Sequence, residues 1–221
     1  MSGADIPAPG LVLASASPAR ARILTAAGLA FTVLVSDVDE DAIAAEHPLA
    51  GPAETAQLLA RAKAEAVAAR PEAAGAIVVG CDSVFELDGV AYGKPWEPEV
   101  ARQRWRLQSG RTGQLHTGHW VVDTRGEAGA GPAAIPGAGP AAGALATASV
   151  TFAAVSEADV AAYVATGEPL QCAGAFTIDG RGAAFVEAVG GDPNAVIGLS
   201  VSTLRTLLAD LGVSLASLWS A

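Results

Sequence analysis

The chain has 221 residues, of which 51% are hydrophobic and 16% are charged, with a net charge of −10 and an isoelectric point near 4.6. This hydrophobic content supports a packed core and excludes a globally disordered chain. The acidic balance argues against the basic surface that a nucleic acid polymer requires, whereas a few local cations can still hold a small anionic ligand.

The cysteines, histidines and apolar runs argue against several further classes. Cys81 and Cys172 lie far apart without CxxC spacing, so we interpret them as reduced, buried thiols. The three histidines show no zinc-ligand spacing. The first ten residues lack the basic and apolar parts of a signal peptide, and no apolar run reaches the ~20 residues of a membrane span. We therefore expect a cytoplasmic protein without a membrane partner.

Short apolar runs and capped periodic stretches predict strands that alternate with helices in the first half of the chain. The predicted strands cover residues 11–14, 31–35, 76–81, 84–87, 90–92, 114–124, 150–155, 175–178 and 184–189. The predicted helices cover residues 18–28, 52–70, 97–108, 156–166 and 199–211. Hairpins such as the one at Asp88 and Gly89 are local. The pattern predicts an α/β fold with a mixed sheet.

Residues 125–146 are rich in glycine, alanine and proline and carry almost no charge. We predict a flexible loop inserted between two strands, because a strand pattern resumes directly after it. Residues 1–10 are predicted to be a flexible N-terminus. The whole chain, 1–221, is therefore predicted to form a single domain.

The segment ASASPARARIL, residues 14–24, predicts a strand that runs into a helix N-terminus. Ser15, Ser17 and the first-turn amides form a phosphate seat, because those amides lack internal partners and carry the positive end of the helix dipole. Arg20 and Arg22 add positive charge there, which a bound anion would offset. Taken alone, the segment fits an ordinary capped helix with solvated arginines at least as well.

Two acidic segments predict a metal site or a general base. SDVDED, residues 36–41, places four carboxylates in six positions, and magnesium takes one or two carboxylates together with water and phosphates. Asp82 stands where an apolar strand is predicted to end, where it could bind metal or take a proton from water. The alternatives are a solvated acidic loop and a turn or N-cap aspartate.

Two lysines and a glycine-rich segment complete the candidates. Lys94 follows a tight hairpin and is within reach of a phosphate. Lys63 stands beside the apolar face of a helix, where the residues alone favour a lysine that extends to solvent. In residues 168–200, Asp179 is a plausible reader of a base edge, although the segment is also typical of well-folded β-turns.

Taken together, these segments resemble the Maf family of nucleotide pyrophosphatases. Six pieces match in family order and cover nearly the whole chain apart from residues 1–10 and 125–146. The matching pieces are LASASPARARIL, SDVDED, ARAKAEAVA, VVGCDSVFELDGVAYGKP, LQSGRTGQLHTGHWVV and EPLQCAGAFTIDGRGAAFVEAVGGDPNAVIGLS.

The resemblance implies a twisted mixed sheet in two lobes around a central cleft, similar to inosine-triphosphate pyrophosphatases. It also implies hydrolysis of a nucleoside triphosphate to the monophosphate and pyrophosphate with a divalent cation, Mg²⁺ or Mn²⁺, as a house-cleaning activity on nucleotide pools. By motif position, Asp82 resembles the family's proton acceptor, and Glu40 and Asp82 its metal ligands. The implied triphosphate contacts are Ser15, Ser17, Arg20, Lys63 and Lys94.

Three positions that resemble the family's specificity determinants depart from its dTTP- and UTP-hydrolysing members. Those members carry SPRR, GADT and IQG, where this chain has Ala19, Ser83 and Asp179. Asp179 and LQCAG lean towards a subgroup that acts on 7-methyl-GTP, whereas Ala19 and Ser83 match neither group. Since a carboxylate accepts hydrogen bonds, we hypothesise a base that presents donors, including a modified base.

Two other functions stay open at this stage. One is a nucleotide-binding regulator of septum formation or cell division that has no significant turnover. The other is a phosphatase of a different α/β fold that releases orthophosphate. The resemblance leaves the oligomeric state open, with a homodimer as one option.

Overall fold

The computed structural model describes residues 10–126 and 139–220. Within them the strands are β1 Gly10–Leu13, β2 Phe31–Val33, β3 Ala76–Leu87, β4 Val90–Tyr92, β5 Thr112–Asp123, β6 Ala141–Phe152 and β7 Val186–Gly190. The α-helices are α1 Pro18–Ala26, α2 Glu40–Glu46, α3 Pro52–Ala68, α4 Pro98–Gln108, α5 Glu157–Ala165, α6 Pro193–Ile197 and α7 Val201–Asp210. The predicted flexible N-terminus, apart from Gly10, lies outside the described residues, as do residues 127–138 of the predicted loop.

The described strands form one mixed sheet in the order β2-β1-β3-β5-β6-β7, with β4 paired to β3. β1 runs parallel to β2 and β3, and the remaining pairs are antiparallel. Helices alternate with the parallel strands, which need long crossover connections, whereas the antiparallel strands β3 and β4 need only a hairpin. The predicted α/β fold with a mixed sheet is confirmed.

Local signals place several elements where the sequence predicted them. Ser17 caps α1 and Ser156 caps α5, each through its side-chain oxygen, and Ser200 caps α7 in the same way. Asp88 and Gly89 both have positive φ, 54° and 78°, in the turn between β3 and β4. This is the backbone geometry that a two-residue hairpin favours.

The two halves of β3 belong to different hydrophobic clusters, one in each lobe of the molecule. Ile77, Val79 and Cys81 belong to a cluster that packs under α1 and α7. Phe85 and Leu87, further along the same strand, belong to an aromatic cluster with Trp105 of α4 and Phe152 of β6. The change from one cluster to the other takes place at residues 82–84, so β3 carries Asp82 at the junction of the lobes.

Helix α3 lies directly on the backbone of β3 and β5. A Cβ atom at Gly80 would stand 2.3 Å from the Ala60 carbonyl oxygen, and one at Gly118 would stand 2.3 Å from the Ala56 carbonyl oxygen. Both distances are far below van der Waals contact, so both positions require glycine. This close approach brings Lys63, on α3, next to Asp82.

The structure corrects two predicted boundaries. Strand β3 does not end at Asp82 but continues to Leu87, because its second half pairs with β4 and β5. Strand β6 begins at Ala141, so the last six residues of the predicted loop 125–146 pair with β5 instead. Residues 125 and 126 lie between Asp123 and the undescribed segment without helix or strand. Small side chains concealed this strand: Gly143, for example, leaves room for the Trp120 ring.

The predicted strand pair at 175–178 and 184–189 is also wrong. Residues 173–175 and 181–185 form single 3-10 turns, and only Val186–Gly190 is a strand, paired with β6. Helices α2 and α6 were not predicted, because both are short and lack an apolar period. Part of the predicted acidic loop therefore becomes the start of α2, with Asp39 as its N-cap.

Among the described residues, none of the helices combines the length and the apolar character that crossing a bilayer requires.

Candidate functional site

A cleft of about 580 Å³ opens at the junction of the two lobes, and its lining includes all ten side chains that the sequence singled out. These are Ser15, Ser17, Ala19, Arg20, Glu40, Lys63, Asp82, Ser83, Lys94 and Asp179. They come from five separate parts of the chain, which the sheet and α3 bring together. Their roles stay predictions, whereas their position around one cavity is a structural fact.

The start of α1 forms one wall of the cleft. The Ser17 side chain accepts a hydrogen bond from the Arg20 amide at 3.5 Å, and the Ser15 side chain accepts one from the Ser17 amide at 3.2 Å. Pro18 occupies the first helical turn, where its missing N–H costs nothing. The two hydroxyl oxygens therefore fix the start of the helix as acceptors, and each O–H can still donate to a ligand.

Arg20 is held by three acceptors from three elements. Its Nε donates to the Gly198 carbonyl at 2.8 Å, Nη1 to Ser15 Oγ at 2.9 Å and Nη2 to Ser83 Oγ at 3.2 Å. The side chain is buried, and within residues 10–126 and 139–220 no carboxylate oxygen lies within 4 Å of it. A buried guanidinium without a counterion in a cleft favours an anionic ligand.

Lys63 joins the two predicted acidic residues. Its Nζ lies 2.6 Å from Asp82 Oδ1 and 2.7 Å from Glu40 Oε1, and only 8% of its side chain is exposed. The interpretation of Lys63 as a lysine that extends to solvent is therefore wrong. Because α3 lies so close to β3 at Gly80, the long side chain of Lys63 runs inward along the sheet to Asp82.

The two carboxyl groups are shifted in opposite directions. Burial is the largest influence on Asp82 and raises the pKa of that carboxyl, although the charges of Lys63 and Arg20 oppose it. Burial also acts to raise the pKa of Glu40, but the Lys63 ammonium, with Lys94 and Arg20, outweighs it and holds that pKa below its usual range. Asp82 is thus the stronger base of the two.

The donor set fits a hard divalent cation that is completed by other ligands. Asp82 and Glu40 both contact one ammonium nitrogen, so their carboxylates lie close enough to share a single ion. In the part of the chain that the structure describes, no group of three or more histidine, cysteine, aspartate or glutamate side chains is arranged to hold a metal. Two carboxylates suit Mg²⁺, which takes further oxygens from water and phosphates.

Lys94 lines the cleft just after β4, and Trp96 lies beside it. The Lys94 Nζ is 5.1 Å from the centre of the Trp96 ring, a cation–π contact. Trp96 has a positive φ of 60° and is 60% exposed, both unusual for so large a residue. The sequence reasoning missed Trp96, although an aromatic residue directly after GKP was a visible signal.

Ser83 lies deep in the cleft beside Arg20. Its Oγ is within 2.9 Å of the buried Thr117 Oγ1, which donates to the Ala195 carbonyl at 2.7 Å. Thr117 was also missed, because its partners lie far away in sequence. Ser83 is therefore tied into the hydrogen bonds around the guanidinium, and its predicted role in specificity is untested.

Asp179 lines the cleft together with Ala19 and Arg22. Its Oδ2 accepts a hydrogen bond from Arg22 Nη2 at 2.7 Å, and Oδ1 accepts one from the Thr177 hydroxyl. Partial burial acts to raise the pKa of Asp179, but the hydrogen bond from the Thr177 hydroxyl and the ion pair with Arg22 outweigh it and hold that pKa below its usual range. Each carboxylate oxygen can accept a second hydrogen bond, so Asp179 can still meet a ligand.

Comparison with known proteins identifies the family to which the chain is similar. The family model described as "Maf-like protein" matches residues 10–211. The chain is similar to the nucleoside triphosphate pyrophosphatase of Leifsonia xyli subsp. xyli, with 50% identity over 216 residues, 95% of this chain and 96% of that protein. It is likewise similar to the nucleoside triphosphate pyrophosphatases of Streptomyces coelicolor, with 50% identity over 95% of this chain and 94% of that protein, and of Nocardia farcinica, with 52% identity over 95% and 96%.

Proposed function

The chain belongs to the Maf family, and we propose that it is a nucleoside triphosphate pyrophosphatase that splits the bond between the α and β phosphates. The products are the nucleoside monophosphate and pyrophosphate. The observation that carries this proposal is the convergence of Asp82, Glu40, Lys63 and Arg20 on one cleft. Relatives that are about half identical over nearly their whole length, and that carry this name, support it.

The charges beside Asp82 suit a triphosphate, although the cleft as a whole is lined by four cations and five carboxylates. Beside Asp82, Arg20, Lys63 and Lys94 supply three positive charges against the two carboxylates of Asp82 and Glu40; the other charged lining residues are Arg22, Asp37, Glu168 and Asp179. A nucleoside triphosphate brings about four negative charges, which must be offset before water can approach phosphorus. A divalent cation on the two carboxylates would raise the local charge to three positive, close to balance. This local seat explains how a protein with a net charge of −10 can bind a polyanion.

The side chains divide the work of binding and proton transfer. Asp82 accepts the proton of the attacking water, since burial raises its pKa and makes it a better base than an exposed carboxylate. Arg20 and the start of α1 hold the phosphate oxygens, and Lys63 and Lys94 offset the charge that develops on them. Ser15 and Ser83 keep the Arg20 guanidinium in one orientation.

Dependence on a divalent cation is part of the proposal. Asp82 and Glu40 would hold the ion. The Lys63 ammonium, which now contacts both carboxylates, would contact the phosphates instead. When bound, Mg²⁺ or Mn²⁺ neutralises phosphate charge and polarises the phosphorus centre. We also propose that Asp179 favours a base that presents hydrogen-bond donors.

The test is product analysis with a matched pair of variants. Purified protein, Mg²⁺ and a panel of nucleoside triphosphates should release pyrophosphate and monophosphate. Asp82→Asn should lower kcat by about 100- to 10,000-fold, the range expected for loss of a general base. Asp88→Asn is the control, because Asp88 is an exposed hairpin residue away from the cleft.

Three outcomes would contradict the proposal. Release of orthophosphate would indicate a phosphatase of a different kind. Tight nucleotide binding without any product would indicate a regulator. Full activity of Asp82→Asn would exclude the role given to that carboxylate.

A further inference from the structure

Arg22 and Asp179 form an ion pair across the open end of the cleft. Their side chains meet at 2.7 Å although the residues are 157 positions apart, one on α1 and the other in the segment before β7. The Arg22 side chain is 64% exposed and that of Asp179 is 23% exposed. Exposed ion pairs contribute little to stability, so we consider instead how this pair affects the shape of the cleft.

Both sides of the pair are anchored independently. On one side, Arg20 fixes the first turns of α1 through the bonds described above. On the other, the Glu168 carboxylate accepts hydrogen bonds from the amides of Arg181 at 3.0 Å and Gly182 at 2.9 Å. A Cβ at Gly180 would stand 2.6 Å from that carboxylate, so the segment lies tightly against Glu168. The bridge therefore joins two fixed walls.

A second cavity of about 410 Å³ lies immediately beyond the pair. It shares Ala19, Arg22, Asp179 and Ile197 with the main cleft, and its other lining residues are almost all apolar. Asp82 and Glu40 line only the main cleft, so the acidic pair is not part of the second cavity. The two cavities meet at the Arg22–Asp179 bridge, where Ala19 contributes only a methyl group.

We propose that Arg22 is a specificity-determining residue that acts with Asp179 as a partition, limiting how large a base the cleft accepts. With the bridge in place, the base is confined to the main cleft. Without the guanidinium, the two cavities join and a larger base extends over the apolar surface of the second one. This inference rests on the proposed function. It adds a residue, Arg22, that selects the base by its size, not by its hydrogen-bonding groups.

The test is the ratio of kcat/KM for ATP and GTP to kcat/KM for CTP and UTP. Arg22→Ala should raise this purine-to-pyrimidine ratio by about tenfold, the scale at which an apolar pocket distinguishes ligands by size. The change should appear mainly in KM, because the groups around Asp82 are untouched. The fluorescent analogue 1,N6-ethenoadenosine triphosphate, whose base is larger still, should gain at least as much as ATP.

Two further variants separate the partition from other effects. Arg22→Lys keeps a cation that can pair with the Asp179 carboxylate, so it should leave the ratio close to that of the original protein. Arg61→Ala is the control, because Arg61 forms an exposed ion pair with Glu65 and does not line either cavity. Thermal unfolding should show that each variant folds.

The outcomes distinguish this inference from the proposed function. If the unmodified protein hydrolyses the panel and Arg22→Ala leaves the purine-to-pyrimidine ratio unchanged, the partition alone is overturned. An equal change for all nucleotides would also overturn it, since a size limit cannot act equally. An unmodified protein that hydrolyses none of the nucleotides would overturn the proposed function and this inference with it.

Discussion

At the inner end of the cleft, defined by Arg20, Lys63 and Asp82, the charged groups are buried and each contacts fixed partners. At the outer end, defined by Arg22 and Asp179, the charges are partly exposed and meet across a gap between two elements. Preorganised charges in a dry site stabilise a transition state strongly, because they need no rearrangement during reaction. The difference supports our proposal that chemistry takes place at the inner end and that the base is selected at the outer end.

The largest expected effect separates the two ends directly. Lys63→Met removes the ammonium that contacts Asp82 and Glu40, and we expect kcat to fall by about 100- to 1000-fold. Asp179→Asn, its counterpart at the outer end, should change kcat by less than about tenfold and alter the order of preferred bases instead. Steady-state kinetics on the same nucleotide panel measures both. Equal losses of kcat in the two variants would remove the distinction between the ends.

An intermediate effect tests how the inner end is built. Gly80→Ala places a methyl group against the backbone of α3, so we expect a loss of stability of about 2 kcal/mol and a displaced Lys63. Chemical denaturation measures the first effect and kcat the second. Gly10→Ala is the control, because nothing lies within 4 Å of a Cβ at that position. Unchanged stability of Gly80→Ala would mean that α3 does not need this close approach.

An effect of similar size concerns His119, a buried residue of β5. Burial, aided by the Arg20 charge, lowers the pKa of His119 to about 4, and its Nε2 accepts a hydrogen bond from the Ser200 amide. The unfolded chain keeps a pKa of about 6.5, so between these values it binds a proton that the folded state excludes. The free energy of unfolding is therefore highest above pH 6.5 and decreases as the pH falls from 6.5 towards 4.

The expected loss from this histidine is about 2 kcal/mol between pH 7 and pH 5. Urea unfolding at several pH values, compared with His119→Gln, measures it. The variant keeps an acceptor for Ser200 but cannot titrate, so its stability should depend less on pH. Identical pH profiles would show that His119 is not excluded from protonation in the folded state.

The sequence predicted best what depends on neighbouring residues. The capped starts of α1 and α5 and the Asp88–Gly89 hairpin are local signals that were predicted, whereas the Ser200 cap of α7 was missed because that helix was predicted to begin at residue 199. The ten side chains around the cleft were also named in advance, because they occur in segments with a family resemblance.

The errors concern what depends on distant partners. Asp82 lies inside β3 because the second half of that strand pairs with β4 and β5, and no local signal shows where such pairing stops. The alanine-rich start of β6 resembles a loop until β5 is placed beside it. Lys63 turns inward only because two glycines let α3 approach the sheet, and the link from Arg22 to Asp179 joins residues whose separation hides it.

The contact of α3 with the sheet also restricts how this family member can change in length. Ala56, Ala60 and Ala64 recur every fourth residue and meet the strand backbone at Gly118 and Gly80. Each residue added to a helix turns everything beyond it by about 100°. One insertion or deletion between Ala56 and Lys63 would rotate the Lys63 ammonium away from Asp82, or would place a bulkier side chain against Gly80 and Gly118. Evolution can therefore exchange side chains on the outside of α3 freely, whereas this stretch tolerates neither gain nor loss of a residue.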